Sequence, residues 1–193
     1  MPTERRTEKI EQVLSRKQPD LTVVLEDIHD PHNVSAILRS CDAVGIKEVH
    51  LLYTLNSFPD IGTKSSASAK KWIERKKHQS VDACYEFLHE CGFLIFATRI
   101  TQDSLSLYDL DLTKKVALVF GNEHRGVSDQ AAEKADGTFQ IPMLGMIQSL
   151  NVSVACAVSL FEAFRQRQQA GHYNTPKLTR DEFHHMKQTW LEK

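Results

Sequence analysis

Residues 21–54 read LTVVLEDIHDPHNVSAILRSCDAVGIKEVHLLYT, and the alternation of patterns inside this stretch decides the fold. Leu21–Glu26 is a nearly unbroken apolar run of strand length, as expected of a strand covered on both faces. Asp30-Pro31 has helix-start chemistry: a side chain that accepts backbone N–H bonds, then a ring whose fixed φ suits the first helical position. Residues 33–44 continue that helix and Gly45 closes it. Residues 48–54 (EVHLLYT) return to a strand. Two buried strands joined through a helix form a parallel pair.

The same alternation continues outward. Residues 81–91 (VDACYEFLHEC) predict a helix closed by Gly92, and 93–98 (FLIFAT) and 116–120 (VALVF) predict strands. Ser128 caps a helix over 129–135, 138–141 (TFQI) is a strand stopped by Pro142, and 151–170 is one long helix closed by Gly171. Trp72-Ile73 reads as a further strand in a basic run, and 99–114 as an irregular connection. An amphipathic helix over 3–17 carries Ile10, Val13 and Leu14; another over 179–191 carries Phe183, Met186 and Trp190. The expected class is α/β with a largely parallel sheet. Its expected parts are an N-terminal helical extension (1–19), a core domain (20–170) and a C-terminal helical extension (171–193).

A chain of 193 residues suits one such domain. Hydrophobic residues at 41% and charged residues at 25% exclude disordered and fibrous classes. No apolar run reaches the ~18 residues of a membrane span. The start, MPTERRTEKIEQ, lacks the apolar stretch of a signal peptide. Cys41, Cys84, Cys91 and Cys156 show no paired spacing, so neither a metal site nor a disulfide framework is expected, and a reduced cytoplasmic setting is. Twenty-four basic residues against 25 acidic ones leave a net charge of −1. Nucleic-acid contact would therefore need a local patch. Residues 64–78 supply one, with six Lys/Arg against a single acid.

Ligands of open parallel sheets bind beyond the carboxyl ends of strands. Three such ends stand out. Gly121-Asn122-Glu123-His124-Arg125-Gly126 has the glycine spacing of half a P-loop, but Val127-Ser128 replaces the Lys-Ser that would hold a phosphate. By spacing alone a structural turn is the better reading, with Glu123 as easily a cap or turn residue as a functional carboxylate. The loop from Ile141 to Asn151 holds Pro142, Met143, Leu144, Gly145 and Met146, and an apolar loop should pack into something. An adenine-like ligand and core filling satisfy that equally, and Ser149 or Asn151 also serves as a helix cap. Arg39, six residues after Asn33, reads by itself as an exposed arginine in a salt bridge.

Together and in this order, N-x-S-A-x-x-R (33–39), F-G-N-E-x-x-G (120–126) and I-P-M-x-G-x-x-x-S-L-N-V-S (141–153) resemble the three motifs of the SPOUT superfamily of RNA methyltransferases. The resemblance covers about residues 20–165. Arg5, Arg6, the 18–45 stretch and the FEAFRQRQQAG helix are most similar to its TrmH branch, the tRNA guanosine-2′-O-methyltransferases. The resemblance implies a sheet with a deep C-terminal trefoil knot, against the general rule that knots are nearly absent. It also implies S-adenosylmethionine as cofactor, no metal, and a homodimer in which one subunit's RNA surface completes the other's site.

The implied activity is methylation of a tRNA ribose 2′-hydroxyl, that of the D-loop guanosine at position 18. An rRNA 2′-O-methyltransferase is the alternative within enzymes, and a non-catalytic RNA-binding module the alternative outside them. Carried over by position, Gly121, Asn122, Ile141, Met143, Ser149 and Leu150 would hold the cofactor. Asn33, Arg39, Glu123, Ser149 and Asn151 would form the reacting site, with Arg39 acting on the 2′-hydroxyl. Arginine stays protonated up to a pKa of about 12, so Arg39 either passes a proton to an RNA phosphate and acts as base, or stays charged and steadies the alkoxide. Expected RNA contacts are Arg5, Arg6, Arg16, Lys17, Lys64, Lys70, Lys71, Arg165 and Arg167.

Overall fold

A computed structural model describes residues 3–55, 57–59 and 69–193. Seven strands form one sheet in the order β3-β2-β1-β6-β4-β7-β5, and every pairing is parallel. The strands are β1 (Leu21–Glu26), β2 (Glu48–Leu52), β3 (Glu74–His78), β4 (Leu94–Thr98), β5 (Leu105–Ser106), β6 (Val116–Phe120) and β7 (Gly137–Gln140). The helices are α1 (Glu4–Leu14), α2 (Pro31–Ala43), α3 (Ala69–Trp72), α4 (Val81–Glu90), α5 (Asp129–Lys134), α6 (Val152–Gln169) and α7 (Arg180–Leu191).

The side-chain alternation of β1 explains the layering. Leu21, Val23 and Leu25 enter a core shared with Val34, Ile37, Leu38 and Cys41 of α2 and Cys156, Leu160 and Ala163 of α6. Val24 points to the other face, with Ala117, Val119, Ile95 and Ala97, under Cys84, Tyr85 and Leu88 of α4 and Ala131 of α5. With helices on both faces, β1 and β6 are buried at every position. A third cluster joins Ile10 and Leu14 of α1 to Met186 and Trp190 of α7, so the two terminal helices pack on each other.

Two expectations fail here. Trp72 ends the short helix α3 and Ile73 is a buried connector, while the strand follows at 74–78. That strand, ERKKH, pairs through its backbone at the sheet edge with four of its five side chains wholly or partly exposed, so it carries no apolar signal. The stretch 99–114 contains the two-residue strand β5 and a single 3₁₀ turn at Leu107–Asp109.

Lys17 and Arg167, expected at an RNA surface, are fully buried. Lys17 Nζ donates to Ile46 O at 2.8 Å and lies 3.6 Å from Asp42 Oδ1. Burial lowers its pKa, and Asp42 offsets part of that. Arg167 places all five of its N–H donors: on Leu112 O, Gln18 Oε1, Asp20 Oδ1, Asp20 O and Lys114 O, at 2.6–3.1 Å. It fastens α6 to the chain entering β1 and β6, and an arginine so saturated has no donor for phosphate. Lys64 lies outside the described residues.

Candidate active site

Strand order changes direction after β3: the chain builds outward from β1 through β2 and β3, then crosses to the other side of β1, where it lays β4, β5 at the far edge, β6 back against β1, and β7 between β4 and β5. Such a switch point opens a crevice at the carboxyl ends of the strands. The segments leaving β4, β6 and β7 line a cavity of about 660 Å³ there, within the range of small-molecule sites. Each of the six residues expected to hold a cofactor, Gly121, Asn122, Ile141, Met143, Ser149 and Leu150, is in its lining, as are Glu123 and Asn151.

The loop after β6 is rigid for reasons visible at each residue. Asn122 Oδ1 accepts the N–H of His124 at 3.0 Å and of Arg125 at 3.3 Å, and Asn122 O accepts that of Gly126 at 2.8 Å. Asn122 Nδ2 donates to Asp27 O at 2.9 Å, tying the loop to the end of β1. Gly121 packs directly on the loop's return: a Cβ there would lie 2.1 Å from Gly126 C and 2.2 Å from Val127 N. Only glycine fits that approach.

One polar residue from each of the three motifs, Asn33, Glu123 and Asn151, joins a single hydrogen-bonded chain. Asn151 Nδ2 donates to Asn33 Oδ1 at 3.0 Å, and Asn33 Nδ2 donates to Glu123 Oε1 at 2.9 Å. Glu123 also accepts the backbone N–H of His29 at 3.1 Å and of Asp30 at 3.0 Å. Burial alone would raise the Glu123 pKa; the bonds from Asn33, His29 and Asp30 outweigh it and hold the carboxyl below its ordinary value. A carboxylate so occupied orients the turn into α2. Asn151 caps α6 through Oδ1, which accepts from Ser153 N at 2.9 Å and Val154 N at 3.4 Å. The cap reading and the site reading of Asn151 are both satisfied by one side chain.

Arg39 lies elsewhere. It is exposed on α2, outside the cavity lining, and makes no hydrogen bond or ion pair among the described residues. The salt bridge suggested by its sequence context is not formed. The 141–150 loop also departs from expectation. Only its first residue, Ile141, packs against the core: Leu144, Met146 and Ile147 are exposed, and a Cβ on Gly145 would meet nothing within 4 Å.

Several lining residues were not among the expected site residues. Phe120 and Phe139 stack edge to face, with ring centroids 6.3 Å apart, and Arg99 and Asp129 stand on segments that looked irregular or merely helical. Asp27 is buried with φ +48°, a left-handed conformation that asparagine and aspartate tolerate best among side-chain-bearing residues. Its carboxylate accepts from Thr54 N, Thr54 Oγ1 and Leu55 N at 3.1–3.2 Å. The Glu-Asp pair closing β1 was the one available hint.

The lining suits S-adenosylmethionine. Phe120, Phe139, Ile141, Met143 and Leu150 give an apolar wall for an adenine ring, and Gln148, Ser149 and nearby backbone groups give polar partners for a ribose. Among the described residues no group of His, Cys, Asp and Glu has the arrangement of a metal site.

Comparison with known proteins agrees with this geometry. The chain is 47% identical over 191 residues to the tRNA (guanosine(18)-2′-O)-methyltransferase of Thermus thermophilus, covering 99% of this chain and 98% of that protein. Its fold superposes on the TrmH/SpoU tRNA modifying enzyme of Aquifex aeolicus with a TM-score of 0.92 at 36% identity, covering 98% of this chain and 96% of that one. An AdoMet-bound rRNA methyltransferase from Sinorhizobium meliloti matches with a TM-score of 0.69 at 26% identity, over 80% of this chain and 59% of that one. The profile of the SpoU rRNA Methylase family matches residues 20–161, a span that takes in all three motif loops, and the chain belongs to that family.

Proposed function

We propose that the protein methylates the ribose 2′-hydroxyl of guanosine 18 in the D-loop of tRNA, using S-adenosylmethionine, in the cytoplasm where tRNA is modified. The observation that carries this is the Asn151–Asn33–Glu123 chain at a cavity of cofactor size, in a sequence matching a guanosine-18 enzyme along nearly its whole length. The rRNA reading has weaker support, since the rRNA enzyme matches over little more than half of its own length.

S-adenosylmethionine, when bound, supplies the sulfonium methyl group. The lining residues Gly121, Asn122, Ile141, Met143, Ser149 and Leu150 hold and orient it. Such alignment of reactants can supply about 7–11 kcal/mol of a barrier. Asn33, Glu123, Ser149 and Asn151 shape the ribose side of the site, and Glu123 acts through Asn33 and the α2 turn. Arg39 acts on the 2′-hydroxyl, either as base after passing its proton to an RNA phosphate or as a fixed charge beside the alkoxide. The tRNA lies over exposed Arg5, Arg6, Arg16 and Lys71, with Lys64 and Lys70 of the same basic segment, and over Arg165, whose guanidinium also pairs with Glu162.

The division at 1–19, 20–170 and 171–193 belongs to this reading, with the packed α1–α7 pair acting as one RNA-facing unit. So does a trefoil knot: after β7 the 141–151 segment passes from beyond β4 to α2, where α6 packs. A homodimer is proposed on the α6 and 141–150 face. The test is incubation with labelled S-adenosylmethionine and either transcripts of tRNA carrying or lacking guanosine 18 or fragments of rRNA, followed by mapping of the methylated nucleotide. Label confined to guanosine 18 is expected; label on rRNA fragments alone would select the rRNA reading.

A further inference from the structure

We propose that a second cavity, at the amino ends of β2 and β3, receives one unstacked guanine nucleotide of the bound tRNA, with Glu74 reading its pairing edge. This rests on the tRNA reading above and extends it to a base-reading subsite at the other end of the sheet from the cofactor cavity.

The second cavity has a volume of about 470 Å³ and is lined from the α3–β3 segment on one side and α7 on the other. Its lining combines three chemistries. Glu48 and Glu74 open β2 and β3 and stand directly opposite each other in the ladder. Burial and the facing Glu74 raise the Glu48 pKa by more than Lys76 and Lys47 lower it, so the two carboxylates repel. Neither carboxylate accepts a hydrogen bond or pairs with a lysine or arginine among the described residues, and the ring 3.6 Å from Glu48 Oε1 is that of His50, which burial keeps neutral. Lys71 and Arg75 line the same cavity, and they too have no carboxylate partner among the described residues. Trp72 and Trp190 complete it, with ring centroids 4.9 Å apart at 60°. Trp190 is buried in the α1–α7 cluster, whereas Trp72 is partly exposed, with Lys193 Nζ 5.9 Å from its ring centroid.

A cavity that keeps its acids and its bases unpaired suits a ligand with a donor edge, a flat ring and an anion, and a nucleotide has all three. Bases outside helices are held by stacking on aromatic rings and by bonds to their pairing edges. Guanine sets N1–H and N2–H side by side, and one carboxylate accepts both. Uracil offers a single N–H between two carbonyl oxygens, which a carboxylate repels. The phosphate accepts from Lys71 and Arg75. A polyamine would satisfy the carboxylates but meet those two cations.

Trp72 and Trp190 are the chain's two tryptophans, so intrinsic fluorescence reports on this cavity. With excess S-adenosylhomocysteine present to occupy the other cavity, GMP should quench it saturably and bind about tenfold more tightly than UMP, as bonds to a charged acceptor allow. Glu74→Gln, at an exposed edge position, should bring GMP within about threefold of UMP and leave UMP unchanged. The same substitution should weaken tRNA about fivefold, although removing an acid from a basic surface would by charge alone strengthen it. No quenching, equal affinity for the two nucleotides, quenching abolished by S-adenosylhomocysteine, or a GMP preference unaltered in Glu74→Gln would each overturn the proposal. Loss of the GMP preference with tRNA affinity unchanged or increased would assign the cavity to free nucleotides and overturn the tRNA subsite. Wild-type protein that bound no tRNA would overturn the tRNA reading itself, and this subsite with it, whatever the mononucleotides do.

Discussion

A guanidinium on the exposed side of α2, with no carboxylate partner among the described residues, is free to meet a charge that a substrate brings, which is the role proposed for Arg39. Such a group contributes where charge develops, in the transition state, and little to ground-state binding. Arg39→Ala should lower turnover about a hundredfold or more while S-adenosylhomocysteine affinity stays within about twofold. Near-normal turnover would return Arg39 to an ordinary surface residue. Arg39→Lys separates the two roles: charge alone keeps much of the activity, whereas loss as deep as in alanine marks a need for the planar fork. The two glycines most prominent in the motifs make a second residue-scale contrast. At Gly121 a methyl would collide with backbone, and at Gly145 it would meet open space. Gly121→Ala should abolish cofactor binding in calorimetry and lower the Tm, and Gly145→Ala should leave both near wild type; the reverse order would show that the 141–150 loop is the crowded one. That the crowding sits at Gly121 was not readable from spacing, because the atoms in the way belong to Gly126 and Val127 on the loop's return. For the same reason Lys17 and Arg167 read as surface charges: their carbonyl partners lie far along the chain, and a sequence displays a charge without displaying what faces it.

Among elements, β2 and β3 share a feature with a consequence for pH. His50 Nδ1 and His78 Nε2 lie 3.0 Å apart, beside Phe87, with Lys76 over that ring and Glu48 Oε1 3.6 Å from His50 Nε2. Burial first, then the neighbouring His78 and Lys76, lower the His50 pKa to about 3; burial and Lys76 lower that of His78. A histidine kept neutral in the fold but titrating normally when unfolded makes the unfolded chain bind more protons in acid. The stability it contributes is complete above its unfolded pKa of about 6.5 and is lost progressively as pH falls toward the folded value. Urea unfolding should show a loss on the order of 1 kcal/mol from His50 between about pH 7 and 5.5. His50→Gln should shallow that slope, and an identical slope would place the titrating group elsewhere. The histidines also show what was legible at this scale. Apolar runs marked β1, β2, β4 and β6 because those strands are covered on both faces or pack firmly on one. β3 was expected two residues early, at Trp72-Ile73, and β5 not at all, because one is a charged edge strand and the other two residues long, so backbone pairing rather than side-chain burial makes them strands.

At the scale of the whole molecule, the unexplained feature is the exposed apolar surface of the chain's last third. Val154 and Phe161 of α6 remain 46% and 51% exposed, and Leu144, Met146 and Ile147 of the preceding loop are exposed as well. Helix α6 also sends Cys156, Leu160 and Ala163 inward, so it is apolar on more than the face the core needs. A helix of that composition normally has something against both sides, and in a chain with net charge −1 a second copy is not repelled. The proposed homodimer would cover this face and bring a second RNA surface to the cavity mouth. Phe161 sits near the middle of α6, where an aspartate buried without a partner would be costly. Sedimentation should therefore find wild-type protein as a dimer at micromolar concentration and Phe161→Asp shifted to monomer, with an unchanged far-ultraviolet spectrum because the position is half exposed in the single chain. If the second subunit completes the RNA site, that monomer should keep S-adenosylhomocysteine affinity within a few-fold and lose both tRNA affinity and turnover. A wild-type monomer would remove the dimer outright. A Phe161→Asp monomer with full turnover would leave the partner's contribution to the site without support, and the whole of the chemistry would then have to be carried by one chain's Asn33, Arg39, Ser149 and Asn151.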